Sequence, residues 1–177
     1  MNITLLGYPA FNEWYEVKRR ALITVGKNTF EAPDDKWRHN ILNARHSPIR
    51  YLRFSFLIED IPSWVSVHLC RHIHAQPYVR SQRNDRQKEY DRNAARQDAP
   101  VTMIWDINAE ELMVIANKRL CKQASEETRA VVKQMCNLVK EKCPEFKPFL
   151  VPMCVYHGST CREIKPCGKY PKSNAKV

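Results

Sequence analysis

The sequence predicts an α/β fold of the α+β type, in which a few strands and several amphipathic helices share one core. Two short apolar runs have strand character. Residues 3–6 are followed by Gly7 and Pro9, and residues 51–58 alternate between apolar and polar positions. Apolar residues recur at helical spacing near residues 12–22 and 125–143. These two periodicities together indicate a mixed fold.

The composition indicates a folded, basic protein. Of its 177 residues, 44% are hydrophobic and 27% are charged, which is ordinary globular usage, and we expect one domain at 1–150 with a Cys-rich tail at 151–177. No run approaches 18 apolar residues, and residues 1–6 do not form a signal peptide, so we expect a cytoplasmic protein with no membrane partner. The net charge of +10 favours nucleic acid, nucleotides or phosphate-bearing cofactors, although it is also common for solubility.

The N-terminal elements follow from local signals. Residues 3–6 predict a buried strand, and a helix is expected from Asn12. Asp34 or Asp35 is a candidate cap for a second helix, which should end before Pro48 because the residue before a proline disfavours helical dihedrals.

The middle of the chain alternates strands and helices. A strand is expected over 51–58, followed by a helix that opens at Pro62 and carries Arg71 and His72 at its C-terminal end. Residues 78–83 predict an extended segment. Residues 84–98 contain many acidic and basic residues and predict a solvated loop.

Two consecutive helices are expected in the C-terminal half. Apolar positions fall at helical spacing from Asn108, and Ser125 with the acidic residues after it is typical of an N-cap and first turn. The second of these helices should stop at Pro144.

Residues 71–84 contain the most informative polar pattern. Arg83 has the guanidinium geometry to grip a phosphate, Ser81 can donate and accept at the same oxygens, and Gln82 can offer an amide to a base edge. These are the parts of a nucleotide site. The alternative is that these arginines pair on a solvated surface with nearby acidic residues, namely Asp85, Glu89 and Asp91.

The same region resembles the motif R-H-R-x-x-S-x-N-E-x-S-x-R-Y of the flavin-dependent thymidylate synthases, the ThyX family. The gapless match comprises Arg71, His72, Ser81 and Arg83. The other motif positions differ, with Ile73, Gln76, Tyr78, Val79 and Asn84 in their places. The departures are typical of small, divergent, phage-type members.

Segments on both sides of the motif are also similar to the family. Residues 46–48 and 54–56 resemble its H-x-S-P and F-[ST]-F segments. Residues 108–112, Arg119 and residues 124–129 resemble its N-A-R-E-L helix and the A-Q-W-E-I-R segment that follows.

The resemblance implies a central, mostly antiparallel sheet flanked by helices, and it implies roles for individual residues. Flavin contacts are implied for Ser47, Arg71, His72, His74 and Asn108. Nucleotide contacts are implied for His68, Arg80, Ser81, Gln82, Arg83, Arg96 and Arg119. Of these, Ser81, Arg83 and Arg119 are the catalytic candidates, with Ser81 a phosphate ligand and not a nucleophile.

The resemblance also implies an activity. NADPH would reduce FAD, methylenetetrahydrofolate would give a one-carbon unit, and C5 of dUMP would be methylated. Because several motif residues differ, the substrate could instead be a modified pyrimidine deoxynucleotide, the C5 substitution could differ, or binding could persist without turnover. Family members form homotetramers with shared active sites, so we expect the same assembly here, in the cytoplasm of a bacterial cell and possibly encoded by a phage.

The C-terminal tail contains a separate candidate site. Cys154, His157, Cys161 and Cys167 supply four zinc-compatible ligands within fourteen residues, and Cys121 is an alternative ligand. Ordinary thiols in a loop-rich tail are the competing interpretation.

Two other functions are consistent with the sequence alone. A basic module that binds single-stranded nucleic acid would use stacking and phosphate groups such as Trp14, Trp37, Tyr78 and Arg80. A zinc-ribbon-like interaction protein would explain only the tail.

Overall fold

The computed structural model describes residues 1–86 and 91–173 and contains a four-stranded antiparallel sheet packed against helices. The sheet order is β1-β2-β4-β3. The strands are β1 (Asn2–Gly7), β2 (Arg53–Pro62), β3 (Ala75–Val79) and β4 (Pro100–Asn108). The predicted α+β class and its antiparallel sheet are therefore confirmed.

Six α-helices and two short 3₁₀ helices accompany the sheet in this part of the chain. The α-helices are α1 (Glu13–Ile23), α2 (Asp35–Asn43), α3 (Ser63–Leu69), α4 (Ala109–Arg119), α5 (Glu126–Lys142) and α6 (Met153–Tyr156). The 3₁₀ helices are Ser47–Tyr51 and Pro144–Phe146. Among the helices of residues 1–86 and 91–173, none has the length and apolar character needed to cross a bilayer.

Side-chain caps fix the starts of three helices, and the sequence predicts two of these caps, at Asp34 and Ser125. The carboxylate of Asp34 accepts a hydrogen bond from the Trp37 N–H at 2.7 Å and begins α2. Asn108 begins α4 in the same way, and the Ser125 hydroxyl begins α5. Each cap satisfies a backbone N–H that has no partner within its own helix.

Strand β4 had no counterpart among the sequence-based elements, although it lies in the interior of the sheet. It pairs with β2 on one side and with β3 on the other. Val101, Met103, Trp105 and Ile107 are buried and alternate with less buried positions. This period of two is the signature of a half-buried strand.

Several predicted boundaries are corrected. Residues 3–6 form an edge strand that is only partly covered, not a buried one. The strand expected from 51 begins at Arg53, because Tyr51 ends a 3₁₀ helix. Helix α3 stops at Leu69, so Arg71 and His72 lie in the turn that follows it.

The sheet has one buried face and one open face. Phe54, Phe56 and Ile58 of β2 pack with the buried residues of β4 beneath the helices. On the opposite face, Leu57 pairs in register with Ile104 of β4, and Ile104 pairs with Tyr78 of β3. Ile104 is 38% exposed and Tyr78 is 58% exposed, so this row is an uncovered apolar strip.

The tail docks on the domain through a few polar contacts. The Tyr156 hydroxyl donates to the carbonyl of Asn43 at 3.2 Å. The buried amide of Asn117 donates to the carbonyls of Phe149 at 3.3 Å and Val151 at 2.7 Å. The boundary between domain and tail at residue 150 stays a prediction.

Candidate active site

A cleft of about 440 Å³ opens beside α3 and the segment that follows β3. It brings together three of the residues singled out in the sequence, namely Arg71, Arg80 and Gln82. The Gln82 amide donates to the Ser63 hydroxyl at 3.3 Å, which anchors the extended segment to the start of α3. The other lining residues are Ser63, Ser66, Val67, Cys70, Val79 and Val101. The cleft thus combines two guanidinium groups with hydroxyl and amide groups.

A chain of three polar side chains links the turn after α3 to helix α4. The Nε–H of Arg119 donates to Nε2 of His72 at 3.0 Å, and the other ring nitrogen, Nδ1, lies 2.9 Å from the Glu111 carboxylate. The Nη2–H of Arg119 also donates to the backbone carbonyl of His68 at 3.2 Å. The His72 and Glu111 side chains are 10% and 8% exposed, so both contacts are largely shielded from water.

These contacts fix the orientation and the tautomer of the His72 ring. A ring nitrogen that accepts a hydrogen bond cannot also carry a proton, so Nε2 is the acceptor and Nδ1–H is the donor to Glu111. Burial, followed by the charge of Arg71, lowers the pKa of the Arg119 guanidinium. Arg71 also lines the cleft. The neighbouring cations Arg71 and Arg119 therefore connect the polar chain to the cleft and favour an anionic ligand.

Asn108 joins the candidate site to the fold. Its side-chain oxygen accepts from the Glu111 N–H at 3.0 Å, and its amide donates to the His74 carbonyl at 3.2 Å. One residue therefore caps α4 and holds the turn that precedes β3. His74 itself is exposed, and the contact uses only its backbone.

Other predicted nucleotide ligands lie apart from this cleft. Arg83 is exposed and pairs with Asp85, with its Nε 2.9 Å from the carboxylate, as the surface-pairing alternative predicted. Arg96 is exposed and pairs in the same way with Asp98 at 2.9 Å. The Ser81 hydroxyl accepts from the Arg83 N–H at 3.3 Å.

Ser47 lies exposed at the start of the 3₁₀ helix Ser47–Tyr51 and does not line the cleft. Glu89, one of the three expected acidic partners, lies outside the described residues.

Sequence reasoning assigned no role to Glu111, although a signal for it existed. Its neighbours on α4 include the buried residues Leu112, Met113 and Ile115. A carboxylate within such an apolar stretch requires a buried partner, because an unpaired buried charge is costly. The identity of that partner, His72, comes only from the fold.

The expected stacking platform for single-stranded nucleic acid is not formed. Trp14 is 1% exposed, packs in the core, and donates its Nε1–H to Glu145 at 3.0 Å. Trp37 is partly buried against the same core. The Trp14 ring is therefore not available to stack on a base, and its place in the sequence-based set of stacking groups is wrong.

The tail cysteines converge on a second location. Cys121, Cys154, Cys161 and Cys167 all line one small cavity. Burial is the main cause that raises the pKa of the Cys121 thiol, with Glu163, Cys154 and Cys167 adding to it. His157 does not line this cavity, and the centroid of its ring lies 5.2 Å from that of the Tyr156 ring. Within residues 1–86 and 91–173, no group of three or more His, Cys, Asp or Glu side chains is arranged to hold a metal ion.

Comparisons with known proteins agree with the resemblance seen in the sequence. The family model described as thymidylate synthase complementing protein matches residues 85–145. A comparison with curated protein sequences gives no match.

Two solved structures illustrate the fold. The flavin-dependent thymidylate synthase ThyX from Helicobacter pylori, complexed with FAD and dUMP, superimposes with a TM-score of 0.68 at 16% identity, covering 84% of this chain and 99% of that chain. The UMP/dUMP methylase PolB from Streptomyces cacaoi, bound with 5-Br dUMP, gives a TM-score of 0.66 at 15% identity, covering 85% of this chain and 96% of that chain.

The antiparallel sheet and its helices therefore define a protein with the ThyX fold. The family-model match adds sequence evidence within α4 and α5. The chain is therefore similar to the ThyX proteins in fold, and its residues 85–145 match the family model described as thymidylate synthase complementing protein.

Proposed function

We propose that this protein is a flavin-dependent transferase that acts at C5 of dUMP or of a modified pyrimidine deoxynucleotide. The observation that carries the proposal is the partly buried Arg119–His72–Glu111 chain, which ends beside a cleft lined by Arg71 and Arg80. Guanidinium groups are a usual means of holding phosphate. The related folds complexed with dUMP or 5-Br dUMP support a pyrimidine nucleotide as the ligand.

The donor set of the cleft fits a phosphate-bearing ligand of nucleotide size. A volume of about 440 Å³ lies within the range of ligand pockets in proteins. Arg71 and Arg80 would neutralise the phosphate, and Gln82 would contact the base or the sugar. We assign the flavin to the adjoining region, which contains Arg71, His72 and Asn108. The choice of FAD as the cofactor is supported by the H. pylori protein of the same fold, which is complexed with FAD.

When bound, FAD would supply the redox chemistry, with NADPH as reductant and methylenetetrahydrofolate as one-carbon donor. The protein would orient the ligands and stabilise negative charge on the pyrimidine carbonyl through Arg119. Glu111 would hold the His72 ring so that its Nε2 stays an acceptor for Arg119. Ser47, His68, His74, Ser81, Arg83 and Arg96 remain proposed contacts, which would require a neighbouring subunit to complete the site.

A single chain offers only part of such a site, and we propose a homotetramer with shared active sites. A cleft that suits one nucleotide leaves no room for a dinucleotide and a folate as well. The uncovered apolar strip of Leu57, Ile104 and Tyr78 supports association, because monomeric proteins rarely leave such strips in contact with water.

The decisive experiment compares two neighbouring cations on α4. Arg119→Ala removes the group that contacts His72, whereas Lys118→Ala removes an exposed charge one residue away. We expect wild-type protein to bind FAD with visible flavin absorbance, and added dUMP to perturb that spectrum. Arg119→Ala should weaken dUMP binding about tenfold to a hundredfold, the value of one lost charge-assisted hydrogen bond. Lys118→Ala should bind as wild type.

Two controls make the result specific. Arg119→Lys keeps the charge but lacks the planar guanidinium, so it should bind with intermediate affinity. Circular dichroism must show that each variant is folded. A colourless protein that binds oligonucleotides in a strongly salt-dependent manner, and does not bind FAD or dUMP, would refute the proposal.

A further inference from the structure

Four of the seven cysteines line one cavity, although they come from separate segments. Cys121 follows the end of α4, Cys154 lies in α6, and Cys161 and Cys167 lie in the loops beyond it. The cavity has a volume of about 10 Å³, enough for about one water-sized sphere. Such a space suits a single ion and excludes an organic ligand.

Packing does not explain these cysteines. Buried free cysteines commonly act as small hydrophobic residues, as Cys136 and Cys143 do here. In the cluster, only Cys161 is buried, whereas Cys121 and Cys154 are partly exposed and Cys167 is exposed. Convergence of exposed and half-exposed thiols on one small cavity indicates a shared ligand.

The tail also lacks an apolar core of its own. Beyond Leu150, Cys161 is the only buried hydrophobic residue up to residue 173. The segment is held mainly by backbone contacts: the Cys161 N–H donates to the Pro171 carbonyl at 2.8 Å, and the Ser173 N–H donates to the Cys161 carbonyl at 2.7 Å. A loop-rich segment with so little buried apolar surface needs a cross-link to stay ordered.

We propose that Cys121, Cys154, Cys161 and Cys167 bind one Zn²⁺ in a structural Cys₄ site. Zinc prefers four tetrahedral ligands and holds thiolate sulfur at about 2.3 Å. The thiols already share the cavity but do not yet form a site that could hold an ion, so rotation of their side chains toward the cavity must accompany binding. Each thiol that binds releases its proton to solvent, and no electrons are transferred.

The charges of the tail complement this site. Four thiolates and one Zn²⁺ carry a net charge of −2. Arg162 lines the cavity and Glu163 is the acidic residue beside it, while further cations follow in the same segment, namely Lys165, Lys169 and Lys172. These cations would offset part of the negative charge of the occupied site. The bound ion would tie the tail to the end of α4, two residues after Arg119.

The test is the zinc content of the full-length protein purified under reducing conditions without chelators. We expect one zinc per chain by atomic emission. Cys121→Ala and Cys167→Ala should lose it, whereas His157→Ala should retain it because His157 lies outside the cavity lining. Cys70→Ala, a change of a partly exposed cysteine away from the cluster, is the matched control and should also retain zinc.

Cobalt substitution of the wild-type protein covers the case in which a cysteine variant fails to fold. Co²⁺ bound by four thiolates gives intense thiolate-to-metal charge-transfer absorption and tetrahedral visible bands. Loss of zinc in His157→Ala would overturn the Cys₄ ligand set. Absence of zinc together with no Co²⁺ spectrum, or disulfides joining these four cysteines in freshly prepared reduced protein, would overturn the metal site itself. Zinc content and the Co²⁺ spectrum are measured without FAD or dUMP, so these results are distinguishable from those that test the proposed function.

Discussion

At the scale of single residues, the contact between Glu111 and His72 is the polar interaction most deeply embedded in the site. The carboxylate is almost fully shielded and accepts the Nδ1–H of His72 at 2.9 Å, and His72 in turn accepts from Arg119. If the carboxylate were removed, the ring would lose the partner that fixes its tautomer, and a buried donor would be left unsatisfied.

We therefore expect Glu111→Ala to lower the free energy of unfolding by about 2 kcal/mol, the cost of an unsatisfied buried donor that had a charged partner. Glu111→Gln should lose less, since its amide oxygen can still accept from Nδ1–H. Urea denaturation of both variants measures the difference. Equal stability of Glu111→Ala and wild type would show that the contact contributes nothing to the fold.

At the scale of secondary-structure elements, Asn108 connects strand β4 to helix α4 through both ends of its amide. The oxygen caps α4 by accepting from Glu111, and the nitrogen holds the His74 carbonyl. The resemblance implies that this residue contacts a flavin, and the contacts found here give it a structural role as well.

Asn108→Ala should lower the free energy of unfolding by about 1–2 kcal/mol, because it removes the N-cap and the link to His74. Asn108→Asp keeps an oxygen that can cap α4 but lacks the donor, so its loss should be smaller and should arise from the His74 contact. Thermal unfolding of the two variants separates the contributions. Identical losses in both would assign the whole effect to the turn before β3.

The elements that the sequence predicts well are those with local signals. Asp34 and Ser125 begin helices through hydrogen bonds that reach only three residues along the chain. The strand β4 depends instead on partners in β2 that lie some fifty residues earlier. The cluster at the candidate site is equally non-local, since His72 is 39 residues from Glu111 and 47 from Arg119. The motif pattern therefore gave roles to His72 and Arg119 but none to Glu111, although Glu111 lies within the matched segment 108–112.

At the scale of the whole molecule, the open face of the sheet bears on assembly. Light scattering should give four times the 20.8 kDa mass of the chain if the protein is the proposed homotetramer. Ile104→Lys places a charge in the centre of the exposed apolar strip and should reduce that mass, because burying an unpaired charge is costly. Val25→Lys, at an exposed site outside the strip, is the matched control and should leave the mass unchanged. A tetramer that tolerates Ile104→Lys would place the interface elsewhere.

The division into a domain and a tail leads to a prediction about truncation. The large buried side chains lie between Trp14 and Leu150, and a chain that ends at residue 152 keeps the Val151 carbonyl that Asn117 requires. Such a chain would lack the hydrogen bond from Tyr156 to Asn43. It would also lack the stacking of the Arg45 guanidinium, 4.7 Å from the Tyr156 ring, and the two interactions together are worth about 2 kcal/mol.

We therefore expect the truncated chain to unfold cooperatively, with a free energy of unfolding about 2 kcal/mol below that of the full chain. Tyr156→Leu in the full-length protein, which removes the same two interactions without shortening the chain, is the control and should reproduce most of that loss. Urea denaturation followed by tryptophan fluorescence reports on the core, since Trp14 and Trp105 are both buried there. A truncated chain that lacks a cooperative transition would show that residues 153–173 belong to the folding unit, and that the boundary at 150 does not separate an independent domain.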